Sequence, residues 1–157
     1  MDTKRRDVLK TGGGMTLLAL VAAAGWLRPE NVSAQAWNKN AFEAKTMDET
    51  MKALGGGTAA QSKDIAFVST PDIAENGAVV PVGITSAIPK TESIAILIEK
   101  NPNMLAGTFD ILPGTEPAIS TRVKMGQTSN VYALVKADGR YFVASKEIKV
   151  TLGGCGG

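Results

Sequence analysis

The stretch VYALVKADGRYFVASKEIKVTL, residues 131–152, decides the fold. Its first six residues, Val131 to Lys136, are a β-rich run, and Asp138 with Gly139 is a dipeptide that reverses one strand onto the next. Residues 141–144 continue the pattern. In residues 146–152, Ile148, Val150 and Leu152 alternate with Lys149 and Thr151, the period of a strand with one face buried. Working backward, similar short runs occupy residues 65–69, 78–87, 93–99, 104–112 and 119–124, separated by turn residues such as Asn76 with Gly77, Asn101 with Pro102, and Pro113 with Gly114. Within residues 78–87, Val80, Val82 and Ile84 alternate with Pro81, Gly83 and Thr85. Proline cannot donate to a strand ladder, so Pro81 marks an edge or a bulge.

Eight short runs between residues 63 and 152 predict a mainly β fold, an immunoglobulin-like antiparallel β-sandwich. The likeness is one of general shape only. The cysteine and tryptophan pairing of antibody domains is missing, and both tryptophans, Trp26 and Trp37, precede the strand region. Ahead of the sandwich, Phe42, Met47, Met51 and Leu54 fall along one face of a 3.6-residue period, with Lys45, Asp48, Glu49 and Lys52 on the other. This predicts one amphipathic helix over residues 41–54, ended by Gly55, Gly56 and Gly57. No Gly-Lys-Ser/Thr follows those glycines, so they read as a linker and not a phosphate loop. Residues 37–62 are accordingly taken as helix plus glycine-rich linker, and residues 63–152 as the sandwich domain.

The N-terminal segment reads as an export signal. Lys4, Arg5, Arg6 and Lys10 form a charged leader with paired arginines, followed by an apolar run from Met15 to Ala24. That run falls short of the roughly 20 apolar residues a bilayer span needs, and it leads to the small-residue pattern Ala34-Gln35-Ala36. Residues 1–36 are therefore predicted to be a twin-arginine signal peptide cleaved after Ala36, which implies a periplasmic address. A retained membrane anchor fits less well, because Gly12, Gly13 and Gly14 interrupt its start and Arg28 with Pro29 break its end. The signal holds five of the 17 basic and three of the 15 acidic residues, leaving 12 of each sign in the mature chain. A neutral surface offers neither nucleic acid nor an anionic membrane an electrostatic footprint. The remaining 121 of 157 residues suffice for one domain.

The chain has no histidine and one cysteine. That composition removes the usual metal-ligand sets, the Cys-His dyads and the Ser-His-Asp triads, and no cofactor is expected. The single thiol, Cys155, is flanked by Gly153, Gly154, Gly156 and Gly157. Four glycines around a cysteine cost the chain ordering entropy and supply no packing, which predicts a flexible arm, residues 153–157, with an exposed sulfur. If Leu152 packs on the core, the sulfur can travel about 10 Å from that anchor. The cation nearest in sequence is Lys149. Arg122, Asn130 and Arg140 read as solvated strand residues and receive no role.

An unpaired thiol in an oxidising compartment either reacts with a small molecule or couples to another chain. Three functions follow: a covalent carrier, an exported interaction module dimerised through a Cys155 disulfide that binds by strand addition, or a thiol peroxidase. The last lacks a resolving or activating group.

The paired-arginine leader, the amphipathic helix, Val80 with Pro81, the Asn101-Pro102 turn, Ser120-Thr121-Arg122 and above all the ending Gly153-Gly154-Cys155-Gly156-Gly157 resemble the SoxY family. The resemblance spans the mature chain. It implies the sulfur-carrier subunit of a periplasmic thiosulfate-oxidation system, with substrate attached to Cys155 and no catalysis by the carrier itself. It also implies a SoxZ heterodimer partner. A haem-containing SoxXA-type enzyme would couple thiosulfate to the thiol, a SoxB-type hydrolase would release sulfate, and a SoxCD-type dehydrogenase would oxidise the remaining sulfur.

Overall fold

The computed structural model describes residues 38–151; the twin-arginine segment with Arg5, Arg6 and Ala36, and residues 152–157 with Cys155, lie outside the described residues. The elements, in chain order, are α1 (Lys39–Glu43), α2 (Met47–Ala53), β1 (Ala59–Gln61), β2 (Ile65–Val68), β3 (Ile73–Ala74), β4 (Val80–Ser86), β5 (Thr91–Ile98), β6 (Leu105–Asp110), β7 (Ala118–Val123), β8 (Ser129–Ala137) and β9 (Arg140–Val150). Among the described residues, nine strands form two sheets. The larger runs β1-β9-β8-β5-β6 with β3 also on β9, and the smaller runs β2-β4-β7.

The sandwich core lies between the sheets. Val80, Val82 and Ile84 of β4 meet Ile94, Ile96 and Ile98 of β5, Val131, Ala133 and Val135 of β8, and Ile148 of β9. Each of the large side chains contributes about 1.5–3 kcal/mol through burial. The opposite face of the larger sheet carries a second cluster, in which Ala95, Leu97, Leu134 and Val143 pack against Ala41, Met51, Met104 and Leu105. Strand β5 is thus buried on both faces. This explains why its centre is a continuous apolar run, where strands with one wet face alternate.

Three sequence expectations change. The helix predicted over residues 41–54 is two short helices, because Thr46 adopts an extended conformation and caps α2. Its hydroxyl accepts from the Glu49 N–H at 3.2 Å, while the Glu49 carboxylate accepts from the Lys45 N–H at 2.9 Å. This variant of the Thr-x-x-Glu cap, with the carboxylate on the amide just before the capping residue, starts a new helix in place of continuing the old one. Next, the linker after the three glycines contains β1, and the loop before β4 contains β3. Both pair with β9 in parallel, so the larger sheet is mixed and not wholly antiparallel. Finally, the two runs expected over residues 141–144 and 146–152 are not separate strands: as far as residue 150 they belong to the single β9, and Leu152 lies outside the described residues.

Other expectations hold. Asp138 and Gly139 have φ of 49° and 73°, the left-handed pair that a two-residue hairpin joining β8 to β9 requires. Pro81 sits where β4 has only β7 beside it, since β2 ends opposite Gly83, so no ladder bond is demanded on that side. Gly83 itself is obligatory: a Cβ there would lie 2.3 Å from the Val68 carbonyl oxygen.

The hairpin is braced by Glu92, which accepts from Lys136 Nζ at 2.9 Å and from the Gly139 N–H at 3.0 Å. The Lys136 hydrogen bond, followed by the Gly139 amide, holds the Glu92 carboxyl below the usual carboxylate range. A depressed folded pKa stabilises above the unfolded pKa, and that stabilisation is lost as pH falls through the folded value. The stability gap between the wild type and Glu92→Gln, read from urea midpoints, is therefore expected at neutral pH and should close as pH drops below about 4.

Candidate functional site

The strand that leads to Cys155 is secured up to its last described residue. At the end of β9 successive amides bond alternately to either side. The Lys149 N–H donates to the Asp72 carbonyl at 2.9 Å, the Val150 N–H to Thr128 Oγ1 at 3.0 Å, and the Thr151 N–H to the Ala74 carbonyl at 3.1 Å. The β3 segment supplies two of those acceptors, Asp72 just before the strand and Ala74 within it, with Ile73 opposite Lys149 and Ala74 opposite Val150. The buried Ala74 side chain anchors β3 in the core, while Ile73 points outward.

The segment carrying β3 is itself held from several directions. Lys146 Nζ forms an ion pair with Asp72 at 3.0 Å and donates to the Thr70 carbonyl. Thr70 Oγ1 accepts from the Gly83 N–H at 3.0 Å. Asn76 folds the next turn by accepting from the Ala78 N–H at 2.9 Å. The Gly77 carbonyl accepts from the Met125 N–H at 2.7 Å, and a Cβ on Gly77 would lie 2.3 Å from the Met125 oxygen and 2.8 Å from Val150 Cγ1. Around the same pole, Asn101 Nδ2 donates to the Lys124 carbonyl at 2.8 Å, and the Lys100 N–H donates to Ser129 Oγ at 3.0 Å. Cross-bonded loops therefore form a firm platform at this end of the sandwich.

The sequence-predicted site residues Gly153, Gly154, Cys155, Gly156 and Gly157, and Leu152 before them, fall outside the described residues. Lys149 is exposed and has no ion-pair partner among the described residues. Asn130 donates to Glu99 Oε2 at 2.8 Å, on the larger sheet. Arg140 lies over the Phe142 ring, 5.6 Å from its centroid, at the start of β9. Ten residues of strand separate it from Val150, about 33 Å, so it takes no part at the arm. Arg122 lies on the exposed side of β7 opposite Pro81. A pocket of about 480 Å³ bounded by Gly56, Thr58, Arg140 and Phe142 opens at that far pole too. Among the described residues no three His, Cys, Asp or Glu side chains cluster, and no helix is long and apolar enough to cross a membrane.

Sequence reasoning missed the β3 clamp. Its two-residue strand carries no periodicity, and its partners Lys146 and Lys149 are more than 70 residues away. The paired Asn76-Gly77 turn was the available signal, since a glycine is required there by close approach.

Comparison with known proteins places this architecture. The family model for the sulfur oxidation protein SoxY matches residues 50–155, a span that includes Cys155. The sulfur carrier protein SoxY from Chlorobium limicola f thiosulfatophilum is similar at 36% identity, covering 64% of this chain and 93% of that one, with a TM-score of 0.57. A superoxide reductase (neelaredoxin) from Ignicoccus hospitalis is 20% identical, over 55% of this chain and 79% of that one, with a TM-score of 0.48. No curated protein matches the sequence. Fold and matched span together define a small β-sandwich protein of sulfur oxidation. The chain belongs to the SoxY family of sulfur carrier proteins.

Gly77→Ala should loosen the platform by forcing Gly77 from Met125. The expected result is a loss of about 1–3 kcal/mol in denaturant unfolding, with faster hydrogen exchange at the Lys149 and Thr151 amides.

Proposed function

We propose that this chain carries thiosulfate-derived sulfur on Cys155 as a covalent, non-catalytic subunit of a periplasmic thiosulfate-oxidising system. The observation that carries this reading is the junction of a fully bonded strand with a glycine-flanked sole cysteine four residues beyond Thr151. Four residues reach at most about 14 Å, so the thiol has a short tether on a fixed base. The SoxY match extending through residue 155 supports the same assignment.

The cycle balances around the sulfur. A haem-containing SoxXA-type enzyme joins the outer sulfur of thiosulfate to the Cys155 sulfur, releasing the thiol proton and passing two electrons to haem. A SoxB-type hydrolase adds water across the terminal S–S bond, releasing sulfate and protons and leaving a persulfide. A SoxCD-type dehydrogenase takes six electrons from that persulfide with three waters, forming a sulfonate that a second hydrolysis removes. Thiolate is the reactive form in the first step, and the only cation close in sequence is Lys149, so the visiting enzyme supplies the activating charge. A SoxZ-type subunit would complete the carrier, and export through the twin-arginine signal, with cleavage after Ala36, would deliver it to the periplasm. No cofactor belongs to the carrier in this scheme.

Intact-protein mass spectrometry after incubation with thiosulfate and the coupling enzyme should show an added thiosulfate group on Cys155, absent in Cys155→Ser. Continued thiosulfate oxidation by Cys155→Ser would refute the assignment. A disulfide-linked homodimer as the only modified species would instead favour the interaction-module function.

The glycines provide a separate prediction. Replacing Gly153 and Gly154 with valine stiffens the backbone without removing the sulfur. Alkylation of Cys155 by N-ethylmaleimide should persist while enzymatic turnover drops about 10- to 100-fold, the cost of a misplaced reacting atom. Unchanged turnover would show that backbone freedom in the arm is irrelevant.

A further inference from the structure

Asn76 and Gly77 are the only Asn-Gly pair in the sequence. They stand in the turn between β3 and β4, with Asn76 exposed and Gly77 half-buried. Asparagine is a chemically labile residue, because the amide nitrogen of the next residue can attack its side-chain carbonyl. A side chain on that next residue shields the nitrogen, whereas glycine leaves it open to close approach. Here the glycine cannot be exchanged. A Cβ on it would lie 2.3 Å from the Met125 carbonyl oxygen and 2.8 Å from Val150 Cγ1. Packing at the end of β9 therefore obliges the chain to keep an unshielded nitrogen beside an asparagine.

The turn also holds the reacting groups together. Asn76 Oδ1 accepts from the Ala78 N–H at 2.9 Å, closing a ring that runs through the Asn76–Gly77 peptide. The side-chain carbon is thereby folded back over the Gly77 nitrogen, and the bond draws electron density from that carbon. The Gly77 N–H has no acceptor among the described residues, so no hydrogen bond must break before its nitrogen reacts. Other positions lack one requirement or another. Asp138 also precedes a glycine, but its side chain is a carboxylate 3.3 Å from Lys90 Nζ and a poor electrophile. Asn101 precedes Pro102, which has no N–H, while Asn103 and Asn130 precede Met104 and Val131, whose side chains shield the nitrogen.

We propose that Asn76 is a self-modification site, whose conversion to isoaspartate through a cyclic imide with Gly77 releases the clamp on the end of β9. The Gly77 nitrogen gives its proton to solvent and bonds to Asn76 Cγ. The bond from Cγ to the side-chain amide nitrogen breaks, and that nitrogen leaves as ammonia. Water then opens the imide, at the main-chain carbonyl to give isoaspartate or at the side-chain carbonyl to give aspartate, and no electrons are gained or lost. Isoaspartate routes the main chain through Cβ and Cγ, which adds one carbon between positions 76 and 77. The tight seat of Gly77 against Met125 and Val150 has no room for that length. The Gly77 carbonyl then withdraws from the Met125 N–H, bonded at 2.7 Å before reaction, and the nearby Ala74 carbonyl loosens from the Thr151 N–H. This chemistry does not depend on the carrier reading of Cys155.

The test uses the purified full chain, aged at mildly alkaline pH and digested with trypsin beside an unaged sample. The tryptic peptide 64–90 holds Asn76 as its only asparagine and contains no glutamine, so the mass gain of amide-to-acid exchange in it reports this site alone. Conversion there is expected to outpace that at Asn101, Asn103 and Asn130 at least ten-fold, with isoaspartate the main product by electron-transfer fragmentation. In the aged chain the Met125 and Thr151 amides should exchange with deuterium several-fold faster than in the unaged chain. Freshly prepared Asn76→Asp, which supplies the charge without the added carbon, should exchange as the unaged wild type does. Conversion in peptide 64–90 no faster than at the other asparagines overturns the proposal, as does conversion confined to the urea-unfolded chain. Unchanged exchange at Met125 and Thr151 after conversion also overturns it, because the clamp would then have survived. Faster exchange in fresh Asn76→Asp overturns it as well, by assigning the loosening to charge and not to the lengthened main chain.

Discussion

The pairing of β9 on both edges is the constraint on which the rest of the molecule depends. One edge is bonded to β8 from Ala137↔Arg140 to Ser129↔Ile148. The other is bonded first to β1 at Tyr141–Val143 and then to β3 at Lys149–Val150. A strand bonded on one edge alone would have frayed before its end, and any segment leaving it would have had no fixed origin. Here the last amides are taken up alternately by Asp72, Thr128 and Ala74, so order persists to Thr151. The inward side of the same strand contributes Ile148 and Val150 to the inter-sheet core, and near its start Tyr141 and Val143 serve the helix-side cluster. One strand thereby joins both cores to the pole from which the sequence continues toward Cys155.

In the proposed carrier, that arrangement separates two jobs that conflict within one segment. Holding a sheet edge requires side chains and bonded amides, whereas delivering a sulfur into a confined site requires a slim backbone with little preferred shape. The chain changes from Ile148-Lys149-Val150-Thr151 to Gly153-Gly154-Cys155 within a few residues, so the boundary between the jobs is sharp. Glycine also acts inside the platform, but for a different reason. Gly77 and Gly83 are required by backbone oxygens 2.3 Å from where a Cβ would stand, which concerns space and not conformational freedom.

Much of this was legible in the chain before any coordinates. Alternation in residues 78–87 and 146–152, the apolar centre of residues 93–99 and the Asp138-Gly139 turn reported a sandwich because each signal is local. What escaped was non-local. Strands β1 and β3 are two or three residues long and are defined by what lies beside them on β9, not by a period of their own. The helix break escaped because the apolar stripe of Phe42, Met47, Met51 and Leu54 runs across it. Thr46 and Glu49, three residues apart, carried the competing capping signal. For the site, the lone cysteine among glycines was plain in the sequence, while the clamp on the end of β9 depended on Asp72 and Lys146, 74 positions apart.

The two parallel pairings also govern how the molecule is assembled. Strands β1 and β3 find their partner only in the final strand, more than 70 residues downstream, so the larger sheet cannot close until nearly the whole polypeptide is available. Such high contact order places the fold among slow-forming β-proteins, with closure of long loops as the principal entropic barrier. A nascent chain that stalls before residue 140 leaves β8 and β3 with bare edges open to intermolecular pairing.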